Sequence, residues 1–169
     1  LLSEMPHAND GSITYEAMID RFNSDLANTL GNLVNRSIAM TNKYFGGVVP
    51  APAGEEGTDS ELKATVAEAT AKYKALMDDY HIADAAEAVF NMLRRANKYI
   101  DETMPWALAK DEEKKDRLET VLYNLIESIK AGAKQLAPFM PETANKIFAE
   151  LGVSARNYED IDNFGATGE

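Results

Sequence analysis

Apolar residues recur along this chain at helical spacing, and no segment alternates convincingly as a strand does. Residues 1–11 carry Pro6 and an Asn9-Asp10-Gly11 turn signal and predict a loop. Ser12 is a good N-cap, with Glu16 in the first turn of a helix that meets no proline before Phe45. The poor helix formers Asn23-Ser24-Asp25 predict a kink or a re-capped start. Beyond them Leu26, Leu30, Leu33, Met40 and Tyr44 gather on one side, and Gly46-Gly47 ends the helix. The Gly- and Pro-rich stretch 46–58 is a connector, after which Asp59 is placed to cap a helix to about Tyr80. Ile82, Ala86, Val89, Phe90, Leu93, Ala96 and Ile100 form the stripe of a helix from about Ile82 to Thr103, broken by Met104-Pro105-Trp106. Leu118, Leu122, Leu125, Ile129 and Leu136 form the seam of a helix from Asp111 to about Ala137. Pro138 brackets a turn, and Pro141 suits the first position of a last helix to about Leu151, closed by Gly152. The pattern predicts an all-α antiparallel bundle of about five helices over residues 12–152, followed by a loose tail at 153–169.

Charge narrows what such a bundle can do. The 169 residues hold 28 acidic and 17 basic side chains, a net charge of −11. A field of that sign repels polyanions, so the chain is not a generic binder of nucleic-acid backbones, although a local reader of bases remains open. The last 14 residues contribute one basic and four acidic groups, which fits an exposed tail. With no cysteine and two histidines, thiolate zinc sites, cysteine nucleophiles and multi-histidine metal sites are excluded. No run of apolar residues is long enough for a membrane span, and no signal segment opens the chain, so a cytoplasmic location is expected. The start at Leu1-Leu2 rather than Met leads us to expect a longer parent.

Enzyme signatures fail. There is no phosphate loop, dinucleotide glycine pattern, His-Glu-x-x-His or Gly-x-Ser-x-Gly motif, so no catalytic residue and no metal ligand is assigned. His7 and His81 read as boundary histidines, and the adjacent pairs Asp78-Asp79 and Glu112-Glu113 diverge on a helix as solvated charge. The informative feature is a polar stripe: Asn28, Asn32 and Arg36 recur every fourth residue. At about 100° per residue they share one face, opposite the leucines. Each asparagine offers a donor and an acceptor suited to a base edge, and arginine adds a fork of donors and a stacking plane. Single-stranded bases are read by such groups together with an aromatic platform. A plain solvent face is the alternative. Gly31, inside the same helix, permits close approach, first of all by a neighbouring helix. Trp106, the single tryptophan, is either a core anchor or a stacking platform. Arg94, Arg95 and Lys98 form the densest basic patch and are able to hold phosphates, or are simple helix-surface charge.

The segments Arg21-Phe22-Asn23-Ser24-Asp25-Leu26-Ala27-Asn28 and Leu30-Gly31-Asn32-Leu33-Val34-Asn35-Arg36 resemble the start of the anticodon-binding helical domain of the methionyl-tRNA synthetase family. So do Asn97-Lys98-Tyr99-Ile100-Asp101-Glu102-Thr103-Met104-Pro105-Trp106, Ala137-Pro138-Phe139-Met140-Pro141, Lys146-Ile147-Phe148 and Leu151-Gly152. The resemblance runs from about Met5 to Gly152. It implies that the domain reads the CAU anticodon of methionine tRNA through Asn28, Asn32, Arg36, Pro105 and Trp106. Trp106 would stack on the first anticodon base, and Asn32 and Arg36 would contact anticodon bases or the adjoining backbone. Asp101 would orient Arg36 or penalise a wrong anticodon. It implies a Rossmann catalytic domain upstream, which uses ATP with magnesium to attach methionine to the tRNA. This chain has neither the His-Ile-Gly-His nor the Lys-Met-Ser-Lys-Ser segment of that machinery. Two other readings stay open: the corresponding domain of a valine, isoleucine or leucine synthetase, and a helical protein-interaction bundle without an RNA role.

Overall fold

A computed structural model describes residues 16–17, 20–21, 24 and 26–151. Among them every regular element is helical, as the periodicity predicts. The expected loop 1–11 and tail 153–169 lie outside the described residues, as do His7, Ser12, Gly152 and the Asn23 and Asp25 members of the expected kink. Directly after that polar run the backbone forms a π-helical turn, Leu26–Leu30, which leads into α1, Gly31–Phe45. Gly46 then takes a left-handed φ of 62°, and the Gly47 amide donates to the Thr41 carbonyl at 3.2 Å. A side chain at Gly46 would strain that turn, so the Gly-Gly stop has a steric cause.

Helix α2 spans Gly57–Asp78. Its N-cap is Glu56, not Asp59: Asp59 sits three residues inside and accepts a hydrogen bond from the Glu56 amide at 2.8 Å. The expectation that Asp59 itself caps this helix is thereby corrected; it is the inner partner of a reciprocal cap. Helix α3, Ile82–Thr103, buries Ala86, Val89, Phe90, Leu93, Ala96 and Ile100 as expected, but Ile82, at the mouth of the turn, is exposed. Together α2 and α3 form an antiparallel hairpin with the most extensive helix–helix contact among the described residues.

After the short α4, Pro105–Leu108, the Asp111 side chain accepts from the Glu113 amide at 3.0 Å and caps a 3-10 turn, Glu112–Lys114. Helix α5 spans Lys115–Leu136 and α6 spans Pro141–Leu151, beginning on its proline. The predicted seam of α5 is buried, but so are Asn124, Glu127, Ser128, Lys130, Lys134 and Gln135. Helix α5 is the central element, touched by α1, α2, α3, α4 and α6, so its polar side is enclosed too. Buried polar groups need partners: Lys130 lies 3.1 Å from Glu127, and Gln135 donates to Thr70 at 2.8 Å.

Candidate nucleic-acid interface

Three chain segments converge at the C-terminal end of α3. Asn28 lies in the π turn, exposed, with its Nδ2 donating weakly to Ser24 Oγ at 3.4 Å. Asn32 is exposed on the first turn of α1. One turn further, Arg36 Nη2 lies 3.3 Å from Asp101 Oδ1, with side-chain exposures of 32% and 69%. That contact ties the polar stripe to the last turn of α3. The stripe departs from its expected geometry in one respect. A π turn closes with i→i+5 bonds, so it changes the angular phase between Asn28 and Asn32 relative to an uninterrupted α-helix.

Three residues beyond Asp101, Met104 adopts the left-handed conformation, φ 47° and ψ 65°, which costs a side-chain-bearing residue about 1–2 kcal/mol. The ring of Pro105 disfavours continuation of the α-helix at the preceding residue, which gives the turn its cause. Met104 donates to Ile100 O at 2.9 Å, closing α3, and its carbonyl accepts from Ala107 at 2.9 Å, opening α4. Pro105 is buried and anchors the turn, while Trp106 stays 43% exposed. The indole is therefore no core anchor; the turn presents it to solvent on the end of the bundle nearest Asp101.

The basic patch does not form as a patch. Arg94 Nη1 is 3.2 Å from Glu87 and 2.7 Å from the Asn91 side chain. Arg95, 18% exposed, lies 3.3 Å from both Glu61 and Glu102. A phosphate at either arginine would have to compete with these carboxylates. Lys98 is 71% exposed, its Nζ 3.8 Å from Glu102, and is the open cation of the three. His81 Nε2 sits 2.9 Å from Asp79 in the α2–α3 turn, far along α3 from Trp106. Gly31 lines an open groove together with Thr143 and Ile147 of α6.

Behind the interface lies a buried polar cluster that hydrophobic periodicity does not reveal. Asp59 is fully buried and accepts from the Tyr99 hydroxyl, the Arg117 guanidinium and the Glu56 amide. Asn124 Nδ2 donates to the Tyr99 oxygen at 3.2 Å, and Arg117 Nε lies 3.3 Å from Glu56. Burial alone would push the Asp59 carboxyl up, but the hydrogen bonds from Arg117, Tyr99 and the Glu56 backbone outweigh it and hold the pKa below the ordinary carboxylate value. Burial, and then donation to Asp59, push the Tyr99 phenol well up. The cluster pins α3, two residues before Asp101, to the starts of α2 and α5. Its sequence signal was the Asp three residues after Glu56, readable as the inner half of a cap.

Among the described residues the domain is all-helical, with Asn28, Asn32 and Trp106 exposed and Arg36 paired to Asp101 at the end of α3. The family model described as the anticodon binding domain of methionyl tRNA ligase matches residues 49–166, and the chain belongs to that family. A second model, tRNA synthetases class I (M), matches residues 1–38. The chain is 47% identical over 167 residues to a methionine–tRNA ligase of Clostridium perfringens, covering 99% of this chain and 26% of that protein. It is 41% identical over 170 residues to the Bacillus subtilis enzyme, covering 100% and 26%. Among solved structures, Mycobacterium tuberculosis methionyl-tRNA synthetase bound by methionyl-adenylate is similar with a TM-score of 0.76 and 37% identity, over 90% of this chain and 30% of that one. The chain thus spans about a quarter of the length of the curated relatives it matches. These relatives are of the methionine type, which disfavours the valine, isoleucine and leucine alternatives.

Proposed function

We propose that this chain is the tRNA-reading part of a longer methionine–tRNA ligase and that it checks the CAU anticodon of methionine tRNA. The supporting observation is the Arg36–Asp101 contact at 3.3 Å, which sets the amide stripe beside the turn that exposes Trp106. Asn28, Asn32 and Arg36 hydrogen-bond to bases or their backbone, and Trp106, held by Pro105, stacks on the cytosine. Asp101 orients Arg36 and opposes a wrong anticodon. Lys98, the most exposed of the three basic residues on this stretch of α3, is the cation open to a phosphate, while Arg94 and Arg95 stay in their ion pairs. No residue of this chain performs the chemistry. An upstream Rossmann catalytic region, the intramolecular partner, uses ATP with magnesium to attach methionine, in the cytoplasm. Among the described residues no helix is long and apolar enough to cross a membrane.

The test is Trp106→Ala in the full-length ligase that carries this chain. Base–aromatic stacking contributes about 1–3 kcal/mol per base, so kcat/KM for CAU-bearing tRNA should fall roughly 5- to 150-fold. Methionine-dependent ATP–pyrophosphate exchange should be unchanged. Equal charging by wild type and variant would refute the reading and leave the acidic bundle as a protein-interaction module.

A further inference from the structure

The π turn is held from outside its own helix. Asn97 on α3 donates its Nδ2 to the Thr29 carbonyl at 3.2 Å, 68 residues away in sequence. Thr29 and Leu30 are both buried in that turn, which packs against α3. A π turn misaligns main-chain carbonyls from the amides that an α-helix would offer them, so a lateral donor is what such a turn lacks. Asn97 supplies one. Its other side-chain atom, Oδ1, is buried and has no hydrogen-bond partner among the described residues. An unsatisfied buried acceptor costs free energy, and an apolar side chain would avoid that cost. The amide's donation to Thr29 is the contact that accounts for an asparagine there. It also fixes the amide's orientation, because the flipped form would set Oδ1 against a carbonyl.

We infer that Asn97 is a positioning residue for the RNA-reading face: by pinning the π turn it sets the direction in which Asn28 points relative to Asn32 and Arg36. The inference rests on the reading of that stripe given under Proposed function. Asn28 precedes the pinned carbonyl by one residue, while Asn32 and Arg36 lie on regular α-helix beyond it. If the π turn relaxes, Asn28 rotates out of line and the other two stay, so the damage is confined to what Asn28 reads. Trp106 is carried by a different turn and keeps its stacking.

The experiment is a double-mutant cycle of Asn97→Leu and Asn28→Ala in the full-length ligase, scored as kcat/KM on methionine tRNA and on tRNAs changed at one anticodon letter. Asn97→Leu is expected to reduce discrimination about tenfold at the letter that Asn28→Ala affects, with little further loss in the double variant. Trp106→Ala should add to either one, and ATP–pyrophosphate exchange should stay at wild-type level. Additive effects of Asn97→Leu and Asn28→Ala, or a uniform loss at every letter, would overturn the positioning role. Should Asn97→Leu not fold, Asn97→Ala removes the same donor with less bulk and carries the same expectation. If Asn28→Ala and Trp106→Ala both leave charging unchanged, the anticodon reading fails first; if they act and Asn97→Leu does not, only the present inference fails.

Discussion

Replacing Asp59 by Asn keeps the shape of the side chain and removes its charge at a buried position. The carboxylate receives three donors: the Tyr99 hydroxyl, the Arg117 guanidinium and the Glu56 amide. An amide can still accept on one atom, but its nitrogen must then face the Tyr99 hydroxyl, which already takes a hydrogen bond from Asn124. Tyr99 loses its acceptor and Arg117 loses its buried counter-charge. Breaking a buried ion pair costs about 3–5 kcal/mol, and the low end applies here because Arg117 keeps contact with Glu56 at 3.3 Å. A loss of about 3 kcal/mol corresponds to a fall of roughly 6–12 °C in Tm for a chain of this size. The assay is thermal unfolding of wild type and Asp59→Asn followed by circular dichroism across pH. The folded-state pKa of Asp59 is depressed, so its stabilisation is fully present above the unfolded value near 3.8 and is lost as pH falls through the folded value. The gap between the two proteins should therefore be full at neutral pH and close in acid. A gap below about 1 kcal/mol at pH 7, the size of an ordinary surface pair, or one that widens below pH 4, would refute the account.

Two other outcomes follow from the same structure. A Cβ at Gly132 of α5 would sit 2.7 Å from Leu93 Cδ2 and 3.4 Å from Met92 Cε, both on fully buried residues. Gly132→Leu should overpack that contact and cost about 1–3 kcal/mol in urea unfolding, whereas a neutral result would show slack between α3 and α5. The proposed site offers Arg36 and the exposed Lys98 as cations, in a chain of net charge −11. Binding of a CAU stem-loop should therefore depend weakly on salt, with a log–log slope of about −1 to −2, and a slope steeper than about −5 would point to a phosphate-tracking surface instead.

Much of the bundle is legible in sequence because its helices end on residues with local steric consequences. Gly46, Pro105 and Pro141 act through backbone geometry alone, and the seams of α3 and α5 follow from burial on one face. The π turn at Leu26–Leu30 is not legible, because α and π turns share composition and differ in which amide meets which carbonyl. Nor is the enclosure of Glu127, Lys130 and Lys134, since their polarity reads as solvent exposure until the neighbouring helices surround α5. At the interface, spacing alone shows that Asn32 and Arg36 share a face, and Pro105 marks the turn that carries Trp106. That Arg36 meets Asp101, 65 residues later, is a tertiary fact. The fate of Arg94 and Arg95 depends on Glu61, Glu87 and Glu102, whose approach no local pattern announces.

The Arg36–Asp101 contact also spans the connector and joins two separate stretches of the sequence. Arg36 lies in the stretch matched by the class I synthetase model, residues 1–38, and Asp101 in the stretch matched by the anticodon-domain model, residues 49–166. A cut at the Gly- and Pro-rich connector would part Arg36 from Asp101 and the π turn from Asn97, so the connector is not a place where the bundle divides into two self-sufficient halves.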